Sequence, residues 1–342
     1  TIFESQDFLD VDVVHETFVG RVKRDGHFGN RQGRILQLLH QLGHTTATFQ
    51  LLARGFVQVG GELGKRRQFA ILGERQTHTA AELFDGLGLS RTADTGDRYA
   101  GVHGRTIALE FSDGKIMLCS VSQLAELDVA CLDRHLADGA YARRCAQTQV
   151  IALTNWTLYP HMTQVWLRLI ERVYSKLTHK PRFFVDLVDP TARSAKDISA
   201  MLAVLPQLQK CGPVTLGVNG NEGNVLARIL GMDPAADEPA AVESQARALR
   251  TRLGVDEIAT HCIRFSAAAD ATGGAAVPGP WCEKPLKSTG AGDRYNSGTV
   301  LGHCLKLGLA ERLALGNLAS GFFVRNARSG TAAELAAFAK TL

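Results

Sequence analysis

Between residues 149 and 263 short apolar runs alternate with amphipathic stretches, and that alternation leaves few folds open. Gln149 to Leu153, Arg182 to Val188, Val214 to Val218 and Glu257 to Ile263 each have the length and side-chain content of a buried strand. Helical spacing runs from Pro160 to Lys176, Ser194 to Gln209, Glu222 to Leu230 and Ala240 to Leu253, with a further helix near Leu132 to Ala142. Strands and helices in this rhythm predict an α/β fold, a central mostly parallel sheet covered by helices on both faces. Ligands then belong beyond the carboxyl ends of the strands. Upstream, Thr106 to Phe111 and Lys115 to Cys119 flank Asp113-Gly114, which predicts a tight β-hairpin. Ala267 to Gly279 is rich in small residues and reads as a loop. From His15 to Asp97 the periodicity is weak. A strand over Phe8 to Val14, a helix over Ile35 to Leu42, a strand over Phe56 to Val59 and a helix over Thr79 to Leu87 are the elements it suggests.

The chain's 342 residues, 45% of them apolar, suit a single large domain over 1–342 with a small lid, or two modest domains. A net charge of +4 with no long basic run does not imply a nucleic-acid partner. Seven scattered cysteines without a C-x-x-C pair argue against a disulfide framework and a zinc site, and fit a reducing cytoplasm. No apolar run has membrane-spanning length and no signal peptide heads the chain, so the reading is cytoplasmic, without a membrane partner.

The chemistry concentrates in Lys287-Ser288-Thr289-Gly290-Ala291-Gly292-Asp293-Arg294-Tyr295-Asn296-Ser297-Gly298, a glycine-rich turn that opens into a helix. Gly290 and Gly292 allow a sharp bend and close approach of the backbone to a ligand. A helix start carries unpaired N–H groups and the positive end of the dipole, which suits an anion. A carboxylate beside that anion site, Asp293, weakens simple binding but is well placed to take a proton from an attacking hydroxyl. Phosphoryl transfer fits both facts, and a helix start with Asp favouring the dipole fits the second alone.

Thr289-Gly290-Ala291-Gly292-Asp293, followed by an aromatic, an Asn and a Gly, resembles the C-terminal motif of the ribokinase-like (PfkB) carbohydrate and nucleoside kinases. The resemblance runs from about Arg105 to the end. It implies a ribokinase-like fold with a small β lid, whose elements fall within 8–20 and 98–120. It also implies Asp293 as catalytic base and an anion hole from Gly290, Ala291 and Gly292. ATP is the implied co-substrate, magnesium (Mg2+) the implied metal and a sugar-like small molecule the acceptor. A nucleoside kinase, or a catalytically impaired sugar- or nucleotide-binding relative, stays open, as does a homodimer. Lys287 stands where many members carry an acidic residue that helps hold a monovalent cation, so that cation is not carried over. Tyr295 replaces the usual Phe.

Asn219 and Glu222 match the family's N-x-x-E motif, which implies nucleotide or phosphate contact by Asn219 and water-mediated magnesium at Asn219 and Glu222. Water-bound oxygen coordination is what magnesium prefers, and the same two residues also fit a capping box. Asp189-Pro190-Thr191-Ala192-Arg193 resembles the family's D-P-N-x-R run, with Arg193 aimed at a phosphate. A turn followed by an exposed Arg fits as well. Asp12 and the Gly60-Gly61 turn resemble the family's sugar-binding residues, although Glu62 replaces an Asn. The helix near Asn317 to Gly321 resembles one wall of its nucleotide site. Residues 15–97 are atypical for the family, which fits either a divergent acceptor site or a frame error. His261 and His303 read as structural or exposed.

Overall fold

The computed structural model describes residues 105–111 and 114–342. Asp12, Gly60, Gly61 and the elements expected before residue 105 lie outside the described residues. The hairpin is present: β1 (Arg105–Phe111) and β2 (Gly114–Ser120) pair antiparallel, with Phe111 opposite Gly114. The chain divides into two compact units. Among described residues one holds 105–111, 114–234 and 251–256, and the other 235–250 and 257–342.

In the first unit α1 (Val129–Leu136) and α2 (Ala140–Cys145) replace the single helix expected there. Gly139, between them at φ 70°, adopts the left-handed conformation that interrupts a helix. Strands β3 (Val150–Leu153), β4 (Arg182–Asp186) and β5 (Val214–Asn219) then form a parallel ladder, Ile151 beside Phe183 and Phe184 beside Thr215. Helix α3 (Met162–Arg172) lies between β3 and β4 in the chain. The helix expected over Ser194 to Gln209 is split into α4 (Ala195–Leu202) and α5 (Leu205–Cys211). Pro206, in the first turn of α5, cannot continue a helix from upstream. The core here is aromatic, with Trp156, Trp166, Phe183 and Phe184 fully buried. Helix α6 (Gly220–Ile229) leaves β5 directly.

Helix α7 (Pro239–Leu253) precedes the strands of the second unit. These are β6 (Glu257–His261), β7 (Phe265–Asp270) and β8 (Gly273–Pro278), paired antiparallel in that order. The loop expected over Ala267 to Gly279 is thus two strands. Ala has little β propensity, yet Ala267, Ala268 and Ala269 are wholly buried and laddered on both sides. The hairpin turns at Asp270, whose Oδ1 accepts from the Thr272 amide at 2.7 Å.

Three helices follow, α8 (Ala291–Cys304), α9 (Leu309–Asn326) and α10 (Ala332–Ala339). Glycines set the approach of α8 to α9. A Cβ on Gly298 would meet the Leu315 carbonyl oxygen at 2.5 Å, and one on Gly302 would meet Arg312 Cγ at 2.9 Å. Neither contact leaves room for a methyl group, so α8 is registered on α9 by backbone contact. No helix among the described residues is long and apolar enough to cross a membrane.

Candidate active site

The glycine turn stands as the sequence predicts, at the start of α8. Gly290 is its N-cap at φ 97°, a conformation that disfavours any side chain. Asp293 is the third helical residue and exposed, with Oδ2 3.9 Å from the point a Gly290 Cβ would occupy. A helix start leaves four amides without intrahelical partners, here those of residues 290 to 293. One is already used, because Ala291 N–H donates to the Ser288 carbonyl at 3.0 Å. Two cations flank the turn in the chain, Lys287 before it and Arg294 after Asp293. Lys287 Nζ lies 5.7 Å and Arg294 Cζ 5.1 Å from the centre of the Phe323 ring, which itself packs against Gly290. Burial holds the Arg294 guanidinium below its ordinary pKa, and the neighbouring charge of Asp293 opposes that shift. Tyr295 is core rather than site, fully enclosed against Ala259, Ala268 and Leu313. His261, the last residue of β6, comes up against Gly292, a contact that a lone histidine at a strand end does not announce in sequence.

In the other unit Asn219 ends β5 and caps α6. Its side chain accepts from Glu222 N–H at 2.9 Å, and Glu222 Oε2 accepts from Asn219 N–H at 2.8 Å, a complete capping box. Only one carboxylate oxygen is committed to that cap. Burial first, then the charges of Asp186 and Asp189, push the Glu222 carboxyl up to about 7, against the pull of the Asn219 amide. The backbone that gathers these acids is strained: Val188, β-branched, sits at φ 60°. It is held there by Asp186 Oδ1, which accepts from Val188 N–H at 3.0 Å, and by Thr157 Oγ1, which donates to its carbonyl at 2.8 Å. Mutually repelling carboxylates of this kind suit a divalent cation, which would relieve the repulsion. Among the described residues no group of three or more His, Cys, Asp or Glu is placed to ligate an ion directly. The carboxylates of Asp186, Asp189 and Glu222 are hard oxygen donors, the kind magnesium takes beside its waters.

A measurable consequence follows from the raised Glu222 pKa. The folded state binds the Glu222 proton more tightly than the unfolded chain, so stability falls as pH rises from about 4.5 to about 7 and is flat above. Glu222→Gln keeps a cap acceptor but cannot ionise. Without added metal it should match the parent near pH 4.5 and exceed it by up to about 3 kcal/mol at pH 8. Urea unfolding at the two pH values checks this, and equal stability at both would show that Glu222 titrates normally.

Two residues expected near phosphate have other partners here. The Arg193 guanidinium donates to the carbonyls of Tyr159 at 3.1 Å and Pro160 at 3.2 Å and stacks on Trp156 at 4.4 Å. It fastens the segment after β3, and little of its fork is left for a ligand. Asn317 Nδ2 donates to the carbonyls of Val277 at 3.1 Å and Pro278 at 3.3 Å, tying α9 to the end of β8. Thr191, in the place of the family's Asn, gives its N–H and its hydroxyl to Asp189 Oδ1.

The family model for prokaryotic ketohexokinases matches residues 44–342. A ketohexokinase of Haloferax volcanii is 31% identical over 289 residues, 84% of this chain and 73% of that protein. In fold the chain is similar to a ribokinase from Thermotoga maritima, with a TM-score of 0.53 at 15% identity over 86% of each chain. It is also similar in fold to an adenosine kinase from Trypanosoma brucei brucei, with a TM-score of 0.54 at 14% identity over 82% of this chain and 81% of that one. The chain belongs to the prokaryotic ketohexokinase family, a carbohydrate kinase of ribokinase-like α/β fold that transfers phosphate to an alcohol group.

Proposed function

We propose that this chain phosphorylates a primary hydroxyl of a ketohexose with ATP as donor, and that Asp293 is the catalytic base. The observation that carries the mechanism is the start of α8, where an exposed carboxylate shares one helical turn with amides suited to a phosphoryl group. Asp293 takes the proton of the sugar hydroxyl as its oxygen bonds to the γ-phosphorus. The bond from that phosphorus to the bridging oxygen breaks, and ADP leaves with the electron pair. The amides of Gly290 and Gly292 stabilise the charge on the transferring group, joined by Ala291 once its N–H leaves the Ser288 carbonyl. Magnesium, when bound, neutralises phosphate charge, and Asn219 and Glu222 would hold it through water. Asp12, Gly60 and Gly61 are proposed for the sugar hydroxyls. Arg193 is proposed for a phosphate and Asn317 for the nucleotide, contacts in which the donors now bonded to carbonyls would be shared or released.

The sugar class rests on family membership and on the Haloferax volcanii ketohexokinase. Ketohexoses, aldohexoses, pentoses and nucleosides, each assayed with ATP and with ADP, test it. ATP consumption that is fastest with a ketohexose is expected. Consumption with nucleosides alone would make the chain a nucleoside kinase, and none with any acceptor would make it a non-catalytic binding protein.

A further inference from the structure

The second glycine of the turn is not there for its backbone conformation. Gly290 needs its positive φ, whereas Gly292 is absent from the positive-φ residues and lies in the first turn of a regular helix. What crowds a side chain at 292 is His261. A Cβ there would stand 3.1 Å from His261 Nε2 and 3.5 Å from Cε1. Setting aside residues 291 and 293 and the helix's own backbone, no other heavy atom of the described residues comes within 4 Å of that point. Among the described residues beyond that turn, the imidazole edge is what lines the space beside Gly292. The ring is not free to drift, because it packs on the buried Tyr295 ring at 5.0 Å between centroids and its Nδ1 is buried. Its backbone is the end of β6. A fixed imidazole nitrogen therefore faces the same small volume as the first-turn amides of α8.

We propose that His261 is a further catalytic residue, whose Nε2–H donates a hydrogen bond to the transferring phosphoryl group beside those amides. The proposal rests on the kinase reading above. It accounts for glycine at 292, since any side chain there would come between the imidazole and the phosphoryl group. No proton changes hands at His261, because the hydroxyl proton goes to Asp293. The imidazole contributes a preoriented donor whose bond strengthens as charge gathers on the phosphoryl oxygens.

His261→Leu keeps much of the bulk and removes the donor. It should lower kcat on the order of 10²-fold, with KM for ATP and sugar within about threefold of the parent. His261→Gln returns an N–H donor and should recover to within about tenfold of the parent. If the residue only fills space, Leu will serve at least as well as Gln, and that result overturns the proposal. Asp293→Asn in the same assay separates the two levels. An inactive Asp293→Asn beside a fully active His261→Leu sinks this inference alone, whereas an active Asp293→Asn sinks the kinase reading beneath it. Should His261→Leu fail to fold, the parent enzyme with ¹⁵N-labelled histidine decides. The His261 Nε2 resonance, assigned by its loss in His261→Gln, should shift when ADP and fluoroaluminate form the transition-state mimic, and an unmoved resonance overturns the proposal.

Discussion

Asp293→Asn is expected to lower kcat by about 10³- to 10⁴-fold while KM for ATP moves by less than about threefold. The substitution keeps the shape of the side chain and removes only the charge and the ability to take a proton. Asp293 is exposed in the first turn of α8, where an acid contributes about 0.3–1 kcal/mol through the helix dipole, so folding should hardly change. A loss of turnover at intact stability then reports on chemistry rather than on scaffold. Removing a negative charge from beside the phosphate site should, if anything, tighten nucleotide binding. Steady-state kinetics with urea unfolding on the same preparation checks both halves, and retention of more than a tenth of parental turnover would remove Asp293 from the role of base.

The second large effect is on stability and lies at the other end of β6. Arg312, on α9, donates through Nη2 to Glu257 Oε2 at 2.6 Å and Asp270 Oδ2 at 2.9 Å, and through Nη1 to the Leu307 carbonyl at 2.7 Å. Glu257 is wholly enclosed, and His303 Nε2 lies 3.5 Å from its other oxygen. Burial pushes the Asp270 carboxyl up, but its bonds from Thr272 and its pairing with Arg312 outweigh that and hold it below the usual range. The stability Asp270 lends is therefore present above the ordinary carboxylate range and lost as pH falls through its depressed folded value. Arg312→Met removes the guanidinium from buried Glu257 and from half-buried Asp270, which keeps its bonds from Thr272, and should destabilise the protein by about 3 kcal/mol at pH 7. Glu257→Gln added to Arg312→Met should recover part of that loss, because one stranded charge disappears. A denaturation series on the parent, the single and the double variant checks this, and a change below about 1 kcal/mol for Arg312→Met would show the network to be well hydrated.

Strands β3 to β6 are legible in the sequence because each concentrates apolar, mostly β-branched or aromatic residues in a run of strand length. Strands β7 and β8 are not. Phe265–Asp270 and Gly273–Pro278 are built mainly from Ala, Ser and Gly, whose side chains signal neither period, and pairing with β6 makes them strands. Helix breaks at Gly139 and Pro206 carry their own local signals, which the surrounding amphipathic pattern outweighs in a reading by periodicity. Within the site, the bend at Gly290 is visible because glycine there answers a backbone demand. The environment of Gly292 is invisible, since its neighbour His261 is thirty-one residues away in the chain. Arg193 and Asn317 have partners that no motif announces, the backbone carbonyls of Tyr159, Pro160, Val277 and Pro278.

Every residue of α8 from Tyr295 to Gly302 is buried, and two of them press bare backbone onto α9. The amides of that stretch can exchange with solvent only when a large part of the unit opens, so their protection should approach that of global unfolding. Asp293 stands two residues before this stretch. The proposed proton acceptor thus rides on one of the slowest-breathing parts of its unit, and its aim is held before any substrate arrives.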